Sequence, residues 1–337
     1  MVINIENSTL PIMNILATGC CGFIGTNFVR FVLRERPNWN IVNLDALTYA
    51  GNIENLKDVE NNPHYKFFKG DITKEQDIFA AGDLLSAKPD AIVHFAAESH
   101  VDNSIKNPGV FVRTNVEGTL NLLKYAKEKG IRHLQVSTDE VYGTLGSTGY
   151  FTEDTPLAAN SPYSASKAGA DLLVRAWHET YKLDTVITRC SNNYGPYQFP
   201  EKLIPLAVTN LMQGKKIPVY GKGINIRDWL HVEDHCSGIL LALEKGKSGR
   251  IYNIGGSNEW KNIDIAKELV KIMNKDETQI EFVTDRLGHD LRYAIDATRI
   301  RKELGWEPRY TFSTGLPETV KWYVENEAWW KPLKAKG

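Results

Sequence analysis

The sequence predicts an open, doubly wound parallel α/β sheet with a smaller C-terminal substrate-binding lobe, and three observations carry that prediction. Short apolar runs alternate with stretches of helical spacing as far as Arg189. A glycine-rich turn, Gly19-Cys20-Cys21-Gly22-Phe23-Ile24-Gly25, joins the first run to the first helix. Beyond Arg189 the texture changes to loops rich in Asn, Gly and Pro. Strands that alternate with helices pair in parallel through right-handed crossovers.

Taken in order, Asn-Ile-Leu-Ala-Thr at 14–18 is the first strand. Residues 23–34 read as a helix, because Phe23, Ile24, Phe28, Phe31 and Val32 fall on one side. Residues 41–44, 65–69, 91–96, 134–137 and 184–189 supply the second to sixth strands. The apolar run at 91–96 suits a strand buried on both faces. Helical patterns occupy 109–129 and 163–182. Later, loops at 191–200, 214–229 and 253–261 separate shorter elements, with turn signals at 246–249 and Gly255-Gly256. The expected organisation is a nucleotide-binding domain over 13–192 with a return segment at 225–252. The lobe then comprises 193–224 and 253–330.

At 337 residues the chain is long enough for about two domains. A net charge of −1 gives no basis for a nucleic-acid or membrane partner. No apolar run approaches the ~18–20 residues of a membrane span. The start, Met1 to Pro11, lacks a basic segment followed by an apolar run, so no secretory signal is expected. Cys20, Cys21, Cys190 and Cys236 match neither zinc-ligand nor disulfide-framework spacing. Cys20 and Cys21 are expected to be small residues packed in a tight turn. No metal is expected, and the expected setting is the reducing cytoplasm.

The glycine-rich turn follows a strand and opens a helix. Its glycines let the backbone approach a pyrophosphate, which the helix N-terminus attracts. The spacing is GxxGxxG rather than GxGxxG. Asp45 stands 20 residues past Gly25, at the end of the second strand. A carboxylate there accepts ribose hydroxyls and repels a 2′-phosphate, so NAD is expected over NADP on a Rossmann-type domain. Asp71 and Ile72 follow the third strand and are placed beside the adenine.

Tyr163 and Lys167 are four residues apart on one helix face. A phenol is a poor base at neutral pH, and a lysine cation nearby is expected to lower its pKa. Tyrosinate can then take a hydroxyl proton while hydride leaves the same carbon. Thr138, Asp139 and Glu140 end the fifth strand, where ligands of such sheets lie. Adjacent acids serve separate roles if one is protonated and the other ionised. His94 and His100, six apart, do not define a metal-ligand pair; packing or cofactor contact is expected. Trp322, Tyr323, Trp329 and Trp330 are expected to pack rather than bind.

With these residues in place, the chain resembles the extended short-chain dehydrogenase/reductases, and within them the dTDP-glucose 4,6-dehydratases. The likeness runs from Asn14 to Trp330 through residues 18–25, 47–52, 96–102, 137–143, 163–168, 189–196, Arg227-Asp228-Trp229 and Gly288-His289-Asp290. The Thr-Asp-Glu triplet is its specific part, since the related epimerases typically lack the acid pair. The resemblance implies that Tyr163, helped by Thr138 and Lys167, deprotonates the glucose 4-hydroxyl. Glu140 would then remove the C5 proton, and Asp139 would protonate the departing C6 hydroxyl.

It also implies cofactor contacts from Gly19, Gly22, Phe23, Ile24, Gly25, Asp45, Thr48, Asp71, Ile72, Phe95, Ala96, Ala97, Ser99, Thr114, Tyr163, Lys167 and Asn193. Substrate contacts are implied for Ser99, Thr138, Asn192, Lys202, Leu203, Pro218, Tyr220, Arg227, Asn262, Asp285, Arg286 and His289. Arg227 suits a phosphate clamp. A homodimer through helices near 109–129 and 163–182 is implied as well. Cys20-Cys21, Ala46 and Leu287 depart from the Gly-Ala, Lys and Pro usual in the family; none removes a catalytic group. Two other readings are weighed beside this one. A 4,6-dehydratase or 4-epimerase for another nucleotide sugar, such as a UDP-sugar, disagrees with the acid pair in its epimerase form. A non-enzymatic NAD-binding regulator has no need of Tyr163 and Lys167.

Overall fold

A computed structural model describes residues 12–285 and 290–335. Its main element is a seven-stranded sheet. From one edge to the other the strands are Arg250–Ile254, Thr185–Cys190, Arg132–Thr138, Ala91–His94, Asn14–Thr18, Asn40–Asp45 and Tyr65–Lys69. Every pairing is parallel. Strands buried on both faces read as unbroken apolar runs, which is why six of the seven stand close to where the sequence places them. The chain runs outward from Asn14–Thr18 through two strands, then jumps back to Ala91–His94 on its other side. That reversal opens a crevice at the carboxyl ends of the strands.

The expected strand 91–96 ends at His94. Its neighbour on one side stops at Thr18, where Gly19 turns away with φ +73°, so the pairing on that side ends. The Phe95 N–H still reaches the Thr18 carbonyl at 3.0 Å. The expected helix 109–129 is split: a π-helical stretch, Val112–Glu117, interrupts it. Such bulges are frequent at functional sites, and here the stretch carries Thr114 and the buried Asn115.

One face of the sheet is covered by Phe23–Glu35 and Val232–Lys245, whose Phe28, Val29, Val32, Cys236, Ile239 and Leu243 share a core. The other is covered by Glu75–Gly82, Gly118–Lys129 and Pro162–Tyr181, through Ile78, Leu122, Leu123 and Val174. A separate core, around Tyr194, Ile204, Trp229, Leu269, Phe312, Tyr323 and Trp330, belongs to the later elements. These include a three-stranded sheet (Glu259–Lys261, Ile226–His231, Asn192–Tyr194) and the parallel pair Ile280–Val283 and Ile217–Tyr220.

Candidate active site

The crevice holds one continuous cleft, walled by the glycine-rich turn, the ends of five strands and the start of Pro162–Tyr181. Gly22 caps the first helix without any side-chain bond, so the amides of its first turn are left for a ligand. A Cβ on Gly19 would stand 2.5 Å from Ala96 Cα, and one on Gly25 would stand 2.6 Å from Cys20 Cα. The backbone therefore passes too close here for any side chain. Cys20 and Cys21 are buried free thiols, and burial pushes Cys21 up to about 12. They pack; they are not reactive.

Asp45 ends its strand against this turn. Its Oδ2 accepts the Cys21 N–H and its Oδ1 the Leu47 N–H, each at 2.8 Å. Burial raises its carboxyl pKa and these two bonds oppose the rise. Each oxygen keeps a lone pair for a ribose hydroxyl. The uncapped helix, the close-packed glycines and the cleft-facing carboxylate together fit a dinucleotide such as NAD. Every residue expected at the cofactor lines this cleft, from Gly19 through Thr48, Asp71, Ile72, Phe95, Ala96, Ala97, Ser99 and Thr114 to Asn193.

Thr138, Asp139, Glu140, Tyr163 and Lys167 line its deep end. Thr138 is the N-cap of the short 3₁₀ turn Asp139–Tyr142 and accepts the Glu140 N–H at 3.3 Å. This turn sends the two acids to different surroundings. Asp139 is 2% exposed, with Oδ2 lacking a hydrogen-bond partner among the described residues. Burial, then the charges of Glu140 and Asp228, hold its pKa well above the usual carboxylate range, against the pull of Arg227. Glu140 is less buried.

The phenol of Tyr163 departs from expectation. Burial raises its pKa first and the Glu140 charge adds to the rise; the Thr138 hydroxyl works the other way. The Lys167 ammonium donates to the Val136 carbonyl at 2.8 Å. Lys167 is itself buried, which lowers its pKa, while Asp171 one turn further along raises it. Asp171 in turn accepts Arg189 Nε at 2.9 Å.

Of the residues expected at the substrate, Ser99, Thr138, Asn192 and Lys202 line the cleft. Leu203, Pro218, Tyr220, Arg227, Asn262 and Asp285 are not brought to its wall. Arg227 is buried, and its guanidinium donates to the Ile226 and Asp290 carbonyls at 2.7 and 2.9 Å, above the Tyr293 ring. Pro218 and Tyr220 lie on Ile217–Tyr220, paired with the strand just before Asp285. The loop after Tyr220 reaches the helix that Asn262 begins. Arg286 and His289 lie outside the described residues.

His94 is a packing residue, bonded to the hydroxyls of Thr18 at 2.7 Å and Thr119 at 3.1 Å. Three residues escaped the sequence reading. Asn115 exchanges both backbone bonds with Glu98 and donates to Ser166 at 2.8 Å, tying the cofactor loop to the helix of Tyr163. Asp228 accepts the Gly256 and Asn258 N–H groups at 3.0 and 2.7 Å and lends its charge to Asp139. Trp329, expected only to pack, lines the cleft. For Asp228 the signal was present, since it stands inside the Arg227-Asp228-Trp229 motif; Asn115 and Trp329 announce nothing locally.

Residues 16–319 match the family model described as GDP-mannose 4,6 dehydratase. A dTDP-glucose 4,6-dehydratase of Xanthomonas campestris is 50% identical over 333 residues, covering 93% of this chain and 94% of that protein. The crystal structure of a dTDP-glucose 4,6-dehydratase from Bacillus anthracis in complex with NAD superposes with a TM-score of 0.90. It is 52% identical and covers 95% of this chain and 99% of that one. The dTDP-glucose 4,6-dehydratase of Streptomyces venezuelae, solved with NAD and TYD bound, gives 0.91 at 51% identity, with 95% and 100% covered.

Proposed function

The chain belongs to the GDP-mannose 4,6-dehydratase family, and from that premise we infer that it dehydrates dTDP-glucose to dTDP-4-keto-6-deoxyglucose with NAD as a catalytic cofactor. NAD, when bound, supplies a hydride acceptor at C4, a hydride donor at C6 and a positive charge beside the phenol. The turn 19–25 and Asp45 would hold it. Tyr163 takes the 4-hydroxyl proton, with Thr138 as hydrogen-bond donor to the phenolate and Lys167 as the buried cation behind it. The 4-ketone acidifies C5–H, Glu140 removes that proton, and Asp139 gives its own to the C6 hydroxyl, which leaves as water. The observation that carries this assignment is the unequal acid pair: elimination beside a ketone needs one acid and one base, and burial pushes the Asp139 carboxyl toward its protonated form beside the less buried Glu140.

Incubation with dTDP-glucose and with UDP-glucose tests it. The alkali-induced absorbance of a 4-keto-6-deoxy sugar should develop with the first and much more slowly with the second. Equal rates would replace dTDP with a broader nucleotide specificity. Because Asp45 faces the ribose, cofactor released by denaturing the purified protein should be NAD(H); recovery of mostly NADP(H) would overturn that assignment.

We assign 13–192 with 225–252 to the cofactor and 193–224 with 253–330 to the nucleotide sugar. We propose a cytoplasmic setting, which the four free cysteines support. No helix among the described residues is long and apolar enough to cross a membrane. A homodimer is proposed through the helices near 109–129 and 163–182, because Val110, Val112 and Leu172 leave apolar side chains exposed on them. Light scattering that gives a monomer's mass would remove it.

A further inference from the structure

The helix Glu327–Lys334 carries two adjacent tryptophans with different surroundings. Trp330 is fully buried in the second core and donates to the Tyr323 carbonyl at 2.8 Å. Trp329 lines the dinucleotide cleft and donates Nε1 to Asn55 Oδ1 at 2.7 Å, across 274 positions of sequence. Asn55 is 2% exposed, and its amide donates to the Cys21 carbonyl at 2.9 Å. The Asn52 N–H reaches that same carbonyl at 3.0 Å. The Thr26 hydroxyl of the first helix donates to the Asn55 carbonyl at 3.2 Å. The start of the 3₁₀ stretch Ile53–Val59, with its cap Asn52, is thus fastened to the glycine-rich turn, and the indole grips it.

The grip is braced on both sides. Tyr197 packs edge-on against Trp329 with ring centroids 5.6 Å apart, and the Arg30 guanidinium lies 4.3 Å over Tyr197. At the far end of the helix, Lys334 donates to Thr209 Oγ1 at 3.0 Å on the second lobe. One short helix therefore bridges the lobe and the rim of the cofactor cleft.

We propose that Trp329 is a positioning residue for the cofactor: through Asn55 the C-terminal helix clasps the glycine-rich turn and slows release of the dinucleotide. This rests on the assignment of NAD to the cleft. A reaction that returns its hydride within each turnover never needs to exchange cofactor, so slow release costs it nothing.

The test uses full-length protein loaded with NADH and chased with excess NAD, reading the loss of bound NADH fluorescence. Trp329→Phe keeps a ring against Tyr197 and loses only the N–H donor. Release should become ~3- to 10-fold faster, the range expected for a neutral hydrogen bond. In a background of Asn55→Ala, the same change should add little, because both act along one path. Wild-type release from Trp329→Phe, with or without a lowered melting temperature, would make the helix packing alone and overturn the clasp. If Trp329→Phe accelerates release as much with Asn55→Ala as without it, the path through Asn55 is wrong. A wild-type chain that binds no NADH at all would instead refute the cofactor assignment.

Discussion

Tyr163→Phe lowers turnover of dTDP-glucose by at least ~10²-fold, the range for loss of a general base, while binding of the nucleotide sugar survives. The phenyl ring keeps its edge contact with Phe111, at 6.3 Å between centroids, so the fold has no reason to change. What disappears is the oxygen that Thr138 supports. Burial and the Glu140 charge keep the free phenol protonated. Proton abstraction therefore requires added positive charge beside it, and the wild-type rate should rise with pH as phenolate becomes available. Steady-state rates and calorimetric binding of dTDP check the split. Near-normal turnover would remove Tyr163 from the chemistry.

The acid pair is expected to give an equally large effect on a different step. Asp139→Asn keeps the volume but cannot pass a carboxylic proton to the leaving hydroxyl. Glu140→Gln cannot take the C5 proton. Neither removes the base of the first oxidation, and Glu140→Gln relieves a charge that raises the Tyr163 pKa. Each variant should accumulate reduced nicotinamide when given dTDP-glucose in a single turnover, followed by decay at least ~10²-fold slower than wild type. Glu140→Gln should also suppress exchange of the C5 hydrogen with deuterated solvent. The pH dependence has a definite sign. Asp139 works as the protonated acid, and its raised pKa carries that form to higher pH. Water loss is therefore full below that pKa and fades as pH climbs through it. Normal dehydration by both variants would leave the acids as a solvated turn. Absence of any reduced nicotinamide would mean that the acids support the oxidation instead.

Most of the cofactor half was legible because its signals are local. A parallel strand buried on both faces announces itself as an apolar run, and Asp45, Gly19 and the Tyr163/Lys167 pair sit at fixed offsets from such runs. What escaped depends on distant partners. Strand Arg250–Ile254 opens with an exposed arginine and finds its pairing only against Thr185–Cys190. Trp329 and Trp330 are identical in type and adjacent, yet one lines the cleft and one fills a core. The expected drop in the Tyr163 pKa failed for a related reason. Spacing put Lys167 on the right helix face, but the burial of the phenol and the Glu140 charge that raise its pKa come from other elements.

The late arrival of Arg250–Ile254 also bears on how the chain is made. Thr185–Cys190 is buried at every residue in the finished sheet. It leaves the ribosome roughly 60 residues ahead of the strand that covers its outer edge, which is on the order of 3–12 s at ordinary rates of synthesis. For that interval the nascent sheet ends in an apolar, unpaired edge, the kind of template that recruits another chain. Crowded translation of this message is thus the moment of greatest aggregation risk, and holding that one strand until its neighbour emerges is the service a chaperone can render.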